Sequence, residues 1–346
     1  MKYWRQEFGT IDGQPIWQHW LENSQGYQMA VIDYGATITN LVLPDQAGQF
    51  KNVVIGYDNL ANYIKQDAYF GATVGRVAGR IAQGTFKLDD QTYHAPINNG
   101  VNTNHGGPNS FESQIWQATV TEKADAISVS FALTSPDGAN GFPGNLQVTT
   151  TYTLTETNDW LVDYAATTDK KTLFNPTCHV YLNLTGDFDK TVDKHQLLIN
   201  SDYYGEIQPD GLPTGRLALV ENTAFDLNHA RPLTDAFNSQ AEQNQLVNGY
   251  DHPFLLTKKN ANVDAQLTEP TSGRSITITT EGNAIVIYTA NGFGSEPNLT
   301  NQPIKPHEAV AIEAQMMPDA IHHPDFGNIV LDVDQAYHRQ TKYHLN

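Results

Sequence analysis

Along most of this chain apolar and polar residues alternate with a period of two. Tyr27, Met29 and Val31 alternate with polar or small residues, and the stretch from Asp33 to Thr39 runs on into Leu41-Val42-Leu43 before stopping at Pro44-Asp45. Ile127, Val129, Phe131 and Leu133 share one face. Val148, Thr150, Tyr152 and Leu154 share another, opposite a run of threonines, and Ser275 to Thr279 and the segment around Ile287 follow the same rule. This is the period of a strand with one face in a core. Phe86 to Tyr93 reads as a hairpin turning at Asp89-Asp90, and Asn328 to His344 predicts one or two closing strands. Helical spacing is scarce: Asn59 to Asp67 and Pro232 to Phe237 predict one short helix each. Turn residues punctuate the rest, as in Asp137 to Gly144. The chain shows neither a fixed-period repeat, which sets aside propellers and solenoids, nor a linker-like tract. The pattern predicts one large antiparallel all-β domain over residues 1–346.

Composition narrows the partners. The 346 residues are 39% hydrophobic, enough for a large core and too many for disorder. Lys plus Arg total 20 against 38 Asp plus Glu, a formal charge of −18. Without a basic cluster to overcome that field, a nucleic-acid or anionic-membrane partner is not expected, and a neutral small molecule is. Cys178 is the single cysteine, so an intramolecular disulfide is excluded, which suits a reducing compartment. The first residues, Met1 to Glu7, lack the apolar run of a signal peptide, and runs such as Ala284 to Tyr288 are too short to span a bilayer. A soluble, cytoplasmic protein is expected.

Several residues stand where chemistry needs them. In Glu308 to Gln315, Val310 and Ile312 face one way and Ala309, Ala311, Glu313 and Gln315 the other, so Glu313 lies on a face of small residues that a ligand can approach. A carboxylate there is costly unless paired or used; a solvated salt bridge is the alternative. In Asn175 to Leu184, Thr177, His179, Tyr181 and Asn183 share the face opposite Cys178, Val180, Leu182 and Leu184. His179 can hold and pass a proton near neutral pH, or serve as a hydrogen-bonded structural histidine. His105 precedes Gly106-Gly107, whose flexibility leaves room around the ring, or makes it an ordinary turn residue. Arg76 and Arg80 fall in the glycine-rich stretch Tyr69 to Ile81. One could donate to hydroxyls; a structural ion pair is the expectation for Arg80. Asp251, in Asn248 to Phe254, can accept from two vicinal hydroxyls or cap its own turn. Among 12 histidines the only adjacent pair is His322-His323, so no metal site is expected. A Gly-x-Ser-x-Gly elbow and a phosphate-cradling Gly-Lys-Ser/Thr loop are also absent.

Taken together these segments resemble the aldose 1-epimerase (galactose mutarotase) family. The matches come in family order: Asp33 to Ala36, Tyr69 to Ile81, Asn98-Asn99-Gly100 through His105-Gly106-Gly107, Asn175 to Leu184, Pro213-Thr214-Gly215, Gly249 to Phe254, and Ile312 to Gln315 with Pro318-Asp319. Each is short; seven in order is specific. The resemblance implies a β-supersandwich of large antiparallel sheets with a sugar cleft. It implies Glu313 as catalytic base, His179 as catalytic acid, His105 as a second site histidine near the ring oxygen, and Arg76 and Asp251 as sugar-binding residues. The sequence departs from the family at Val286, where a sugar-contacting glutamine is frequent, and in the loop Gly292 to Pro297. Gly79 replaces a frequent asparagine, and Val180 a small polar residue. The implied reaction interconverts α and β anomers of glucose or galactose by ring opening, without redox or cofactor. Two rivals remain: a glycoside hydrolase using Glu313 and Asp251 as its carboxylate pair, and a sugar-binding module without turnover.

Overall fold

The structure, a computed structural model, describes residues 1–65, 68–257, 263–293 and 304–346. Strands dominate, and the largest sheet has nine, all paired antiparallel. Ala126–Ser135 and Leu146–Thr155 pair within it so that Ile127 faces Leu154, Val129 faces Tyr152 and Phe131 faces Thr150. These six side chains are fully buried. On the opposite face the Ser and Thr hydroxyls pair across the strands, Ser128 with Thr153 at 2.8 Å and Ser130 with Thr151 at 2.9 Å. The period-two pattern is thus realised as apolar against core and hydroxyl against hydroxyl.

A six-stranded sheet carries the site. Its strands in chain order are β1 (Tyr181–Leu182), β2 (Ser201–Ile207), β3 (Pro213–Leu219), β4 (Asp251–Leu256), β5 (Ala284–Tyr288) and β6 (Val310–Gln315). Their order in space is β1-β6-β5-β4-β2-β3. The register sets Val286 opposite Glu313, Tyr288 opposite Ala311, and Asp251 opposite Tyr288. One face of this sheet, with Ile312, Ile287, Ile285, Phe254 and Leu182, is buried in the main core. The other face, with Glu313, Val286, Tyr288, Asp251 and Tyr181, opens on a cleft. A third sheet of five strands is formed by the first 52 residues.

The predicted hairpin is present as Thr85–Leu88 paired with Gln91–His94, and the closing strands as Val330–Leu331 and Tyr337–Leu345. The first predicted helix is Leu60–Lys65, and residues 66–67 of its predicted span lie outside the described residues; the second is Thr234–Phe237. Residues 294–297 of the unusual loop also lie outside them. A third helix, Glu242–Val247, has no apolar stripe to announce it. The side chain it buries is Asn244, and its Gln243 clamps the backbone of Ile207 through both amide groups. No helix among the described residues is long and apolar enough to cross a membrane.

Candidate active site

A cavity of about 380 Å³ opens over the exposed face of the six-stranded sheet. At its floor the Nε2 of His179 lies 3.4 Å from Oε1 of Glu313. Both side chains are almost wholly buried, each residue being 4% exposed. Glu313 is held by the middle of β6, with the apolar Val286 directly across on β5. The amide of Gln315, two residues on along the same face, donates to Oε2 at 3.5 Å. His179 sits in a short break between two paired segments, Thr177–Cys178 and β1. Its backbone N–H donates to Ala72 and its carbonyl accepts from Gly71, which anchors it to the Tyr69 to Ile81 stretch. The rings of Tyr69 and Tyr181 flank its imidazole, with centroids 5.9 and 5.1 Å away.

Burial acts on the two groups in opposite directions. It pushes the Glu313 carboxyl up to about 8, helped by the neighbouring Asp251 and opposed by Arg80. It pushes the His179 imidazole down to about 4, its Nδ1 being buried without a hydrogen-bond partner. Each charged form is penalised by lost hydration. Their mutual attraction at 3.4 Å works against both shifts, because each ion stabilises the other. In the intermediate pH range the pair therefore carries one proton in total.

His105 completes the cluster. It adopts a left-handed backbone, φ 52°, with Gly106 and Gly107 following at φ 83° and 92°. A Cβ on Gly106 would lie 2.1 Å from the carbonyl oxygen of Gly75, so only glycine fits beneath the loop. The His105 N–H donates to the carbonyl of Gly79, and the Gly79 N–H donates back to Nδ1 of the ring at 3.3 Å. Its ring is edge-on to that of His179, centroids 5.1 Å apart. Burial, with His179 and Arg80 nearby, holds His105 well below the usual histidine range, so it is neutral. With Nδ1 accepting, the ring proton sits on Nε2.

Among the described residues, His105, His179 and Glu313 are also the group whose ligand atoms lie close enough, within 4.8 Å, to hold a metal ion. A scan for closely spaced histidines misses it because the three come from separate parts of the chain. The His105 tautomer offers the cleft an N–H rather than a lone pair. That suits a donor to sugar oxygens and not a metal ligand.

Of the sugar-binding candidates, Asp251 lines the cleft and Arg76 does not. Arg76 is 2% exposed and points into the protein. Its guanidinium donates to Ser135 Oγ, Thr172 Oγ1 and the carbonyls of Ser135, Pro136, Pro143 and Gly144. With its donors so engaged, its placement in the cleft is corrected, and Arg80 makes no ion pair within 4.0 Å among the described residues, where one was expected. Arg80 lines the cleft and donates to Asn99 Oδ1 at 3.1 Å and to the Gly211 carbonyl at 3.3 Å. Its positive charge draws the carboxyls of both Glu313 and Asp251 down toward their ordinary range. Burial raises Asp251 against that influence.

Thr177, His179, Tyr181 and Asn183, placed on one face by the alternation, do not all reach the cleft. His179 and Tyr181 face the cleft, whereas Thr177 donates to the Ala314 carbonyl and Asn183 to those of Lys190 and Glu308. Asn104 adds a wall group, its Oδ1 buried without a hydrogen-bond partner. Neither it nor Tyr69 carries a sequence signal beyond lying in the quoted motifs.

This antiparallel all-β fold, with a carboxyl and an imidazole meeting on the cleft floor, is that of the galactose mutarotase-like proteins. The aldose 1-epimerase family model matches residues 18–344, and the chain belongs to that family, as an isomerase. It is 34% identical over 335 residues to a maltose epimerase of Levilactobacillus brevis, covering 97% of this chain and 96% of that protein. It is 35% identical over 313 residues to the galactose mutarotase of Homo sapiens, covering 90% and 89%. Among solved structures, the galactose 1-epimerase of Lactobacillus acidophilus NCFM superposes with a TM-score of 0.89 at 30% identity, over 100% of this chain and 98% of that one.

Proposed function

We propose that this protein interconverts the α and β anomers of free aldohexoses such as glucose and galactose. Glu313 removes the proton from the anomeric O1 while His179 delivers one to the ring oxygen O5. The C1–O5 bond breaks as C1=O forms. Rotation about C1–C2 presents the other carbonyl face, and the reverse transfers close the ring. Protons and electrons balance without a redox partner. His105, with its Nε2–H, assists at the ring oxygen, and Asp251 and Arg80 hold the remaining hydroxyls, supplying orientation.

The observation that carries this reading is the 3.4 Å approach of the Glu313 carboxyl to the His179 imidazole on the cleft floor. A carboxyl raised by burial is a strong base once it is ionised, and an imidazole lowered by burial is a strong acid once it is protonated. One proton shared by the pair is the stoichiometry the reaction needs. Polarimetry on freshly dissolved α-glucose and α-galactose tests it. Glu313→Gln and His179→Asn should each lower the catalysed rate by roughly 10²–10⁴ with the fold intact by circular dichroism. Full activity in either variant removes the assignment.

A further inference from the structure

The strand Tyr337–Leu345 alternates buried and more open positions, and Arg339 falls on its buried side with Thr341, Tyr343 and Leu345. It is a cation in a row the pleat turns inward. Arg339 is 3% exposed, and among the described residues no carboxylate lies within 4.0 Å of it. The rings of Tyr164 and Tyr337 lie 5.7 and 5.8 Å from its guanidinium carbon, which eases the burial without neutralising the charge. A buried cation without a counter-ion is costly, and its place needs explaining.

Its hydrogen bonds lead toward the cleft. Nη2 donates to the Pro176 carbonyl, and Nη1 donates to Oδ1 of Asn175 at 3.0 Å. The backbone N–H of Met316 donates to the same oxygen at 2.9 Å. Both groups can only donate, which fixes the orientation of the Asn175 amide. Its Nδ2 then donates to the Met316 carbonyl at 3.1 Å and to Oε1 of Gln315 at 3.5 Å. Nε2 of Gln315 donates in turn to Oε2 of Glu313, also at 3.5 Å. Asn175 and Gln315 are buried, so bulk water does not compete for these groups. The last two contacts are long, as hydrogen bonds of a catalytic group often are before substrate binds. From Arg339 to Glu313 every bond points the same way, and each donor is polarised by the bond behind it. Oε2 ends the chain of bonds, while Oε1 faces His179.

Resting on the epimerase reading above, we propose that Arg339 is a positioning residue for Glu313, acting through Asn175 and Gln315: the relay holds Oε2, leaves Oε1 turned to His179 and favours the ionised carboxyl that takes the proton from O1. Burial pushes this carboxyl up to about 8, so a cation that favours ionisation works toward the base form. Of the other groups around Glu313, Arg80 acts in the same direction and Asp251 against it. His179 is the proton-transfer partner, and His105 is neutral. Tyr181, Cys178 and Tyr343 feel the charge of Glu313 and are kept neutral by burial. Arg339 therefore supplies a second positive influence, from the interior rather than from the cleft.

The test is the pH profile of glucose mutarotation by the intact protein, followed by polarimetry. Arg339→Gln keeps an N–H donor and removes the charge. It should lower kcat roughly tenfold with KM within about twofold. It should also move the alkaline limb of kcat/KM up by roughly half a pH unit or more, because the carboxylate has lost a charge that favoured it. Arg339→Lys, which keeps the charge, should return the limb toward wild type. Gln315→Met cuts the relay at its other end and should shift the limb the same way, a readout that stands even where an Arg339 variant does not fold. The double variant should shift it no further than the larger single change, because one path carries both effects. A limb that stays in place in folded Arg339→Gln or in Gln315→Met, shifts that add in the double variant, or an Arg339→Lys no nearer wild type than Arg339→Gln overturns the relay and leaves the epimerase reading standing. A wild type that does not accelerate glucose mutarotation overturns both.

Discussion

In the proposed reaction, Glu313 and His179 are a proton-transfer pair tuned chiefly by burial. Loss of water is the largest cause of each shift, with Asp251 adding to that of Glu313 and Arg80 opposing it. The pH dependence follows with a definite sign. Below about 4 both groups are protonated and the base is lost; above about 8 both are deprotonated and the acid is lost. Between these limits the pair holds one proton, so kcat/KM should trace a broad bell with limbs near those values. Initial rates across pH 3–10 (roughly the span needed to see both limbs) check this, and a narrow optimum would contradict it. Glu313, His179 and His105 stand out as candidates in the sequence through the order of the motifs that carry them, and all three line the cleft. Their convergence was not legible there, since it depends on contacts between residues far apart in the chain.

At the level of the element, the Tyr69 to Ile81 stretch decides which arginine lines the cleft. Arg76 and Arg80 are four residues apart in the same apolar, glycine-rich context, so residue type could not separate them. The backbone does. Gly79 turns through φ 72° between them, and Arg76 follows a path into the interior while Arg80 emerges in the cleft. The two should therefore respond differently to mutation. Arg76→Met strands six carbonyl and hydroxyl acceptors and should cost about 3 kcal/mol or more of stability, with KM for glucose nearly unchanged in the folded fraction. Arg80→Met should leave the melting temperature within a few degrees and raise KM roughly tenfold. Denaturant titrations beside Michaelis curves distinguish the cases; a reversed pattern would return Arg76 to the site. The strands were easier to read than this loop, because alternation is set by the pleat whereas a glycine-rich path is set by what it packs against.

For the molecule as a whole, buried titratable groups tie stability to pH from two sides. His105, His179, His195 and His252 are all held below the ordinary histidine value by burial. Unfolding frees them to take protons, so the unfolded state binds more protons between their folded values and about 6.5, and stability falls as pH drops through that window. Glu112 and Glu313 are raised, to about 7 and about 8. The folded state then holds protons that the unfolded chain releases above about 4.3, and stability falls as pH rises toward 8. Below about 6.5 the four histidines outweigh the two glutamates; above it the glutamates act with His322, which its bond to Asp319 raises and whose contribution is likewise lost as pH rises. Thermal melts at pH 5, 6.5 and 8.5 should show the highest Tm at the middle value (all three being rough choices from these windows). A monotonic trend would mean that other groups dominate.

The overall all-β architecture was readable from alternation and turns, and the helix at Glu242–Val247 was not, because it serves a polar clamp rather than an apolar face. The six-stranded sheet ties these scales together. Ile312 and Glu313 are neighbours in sequence, yet one is locked in the core and the other lies on the floor of the cleft. Sliding β6 by a single position would exchange them, placing an isobutyl-sized hydrocarbon under the sugar and a carboxyl among leucines. The penalty for that exchange guards the alignment of the strand. Turnover in this protein is thus inherited from the oil-like half of the sheet, and catalytic competence doubles as a readout of whether the chain has folded in the correct frame.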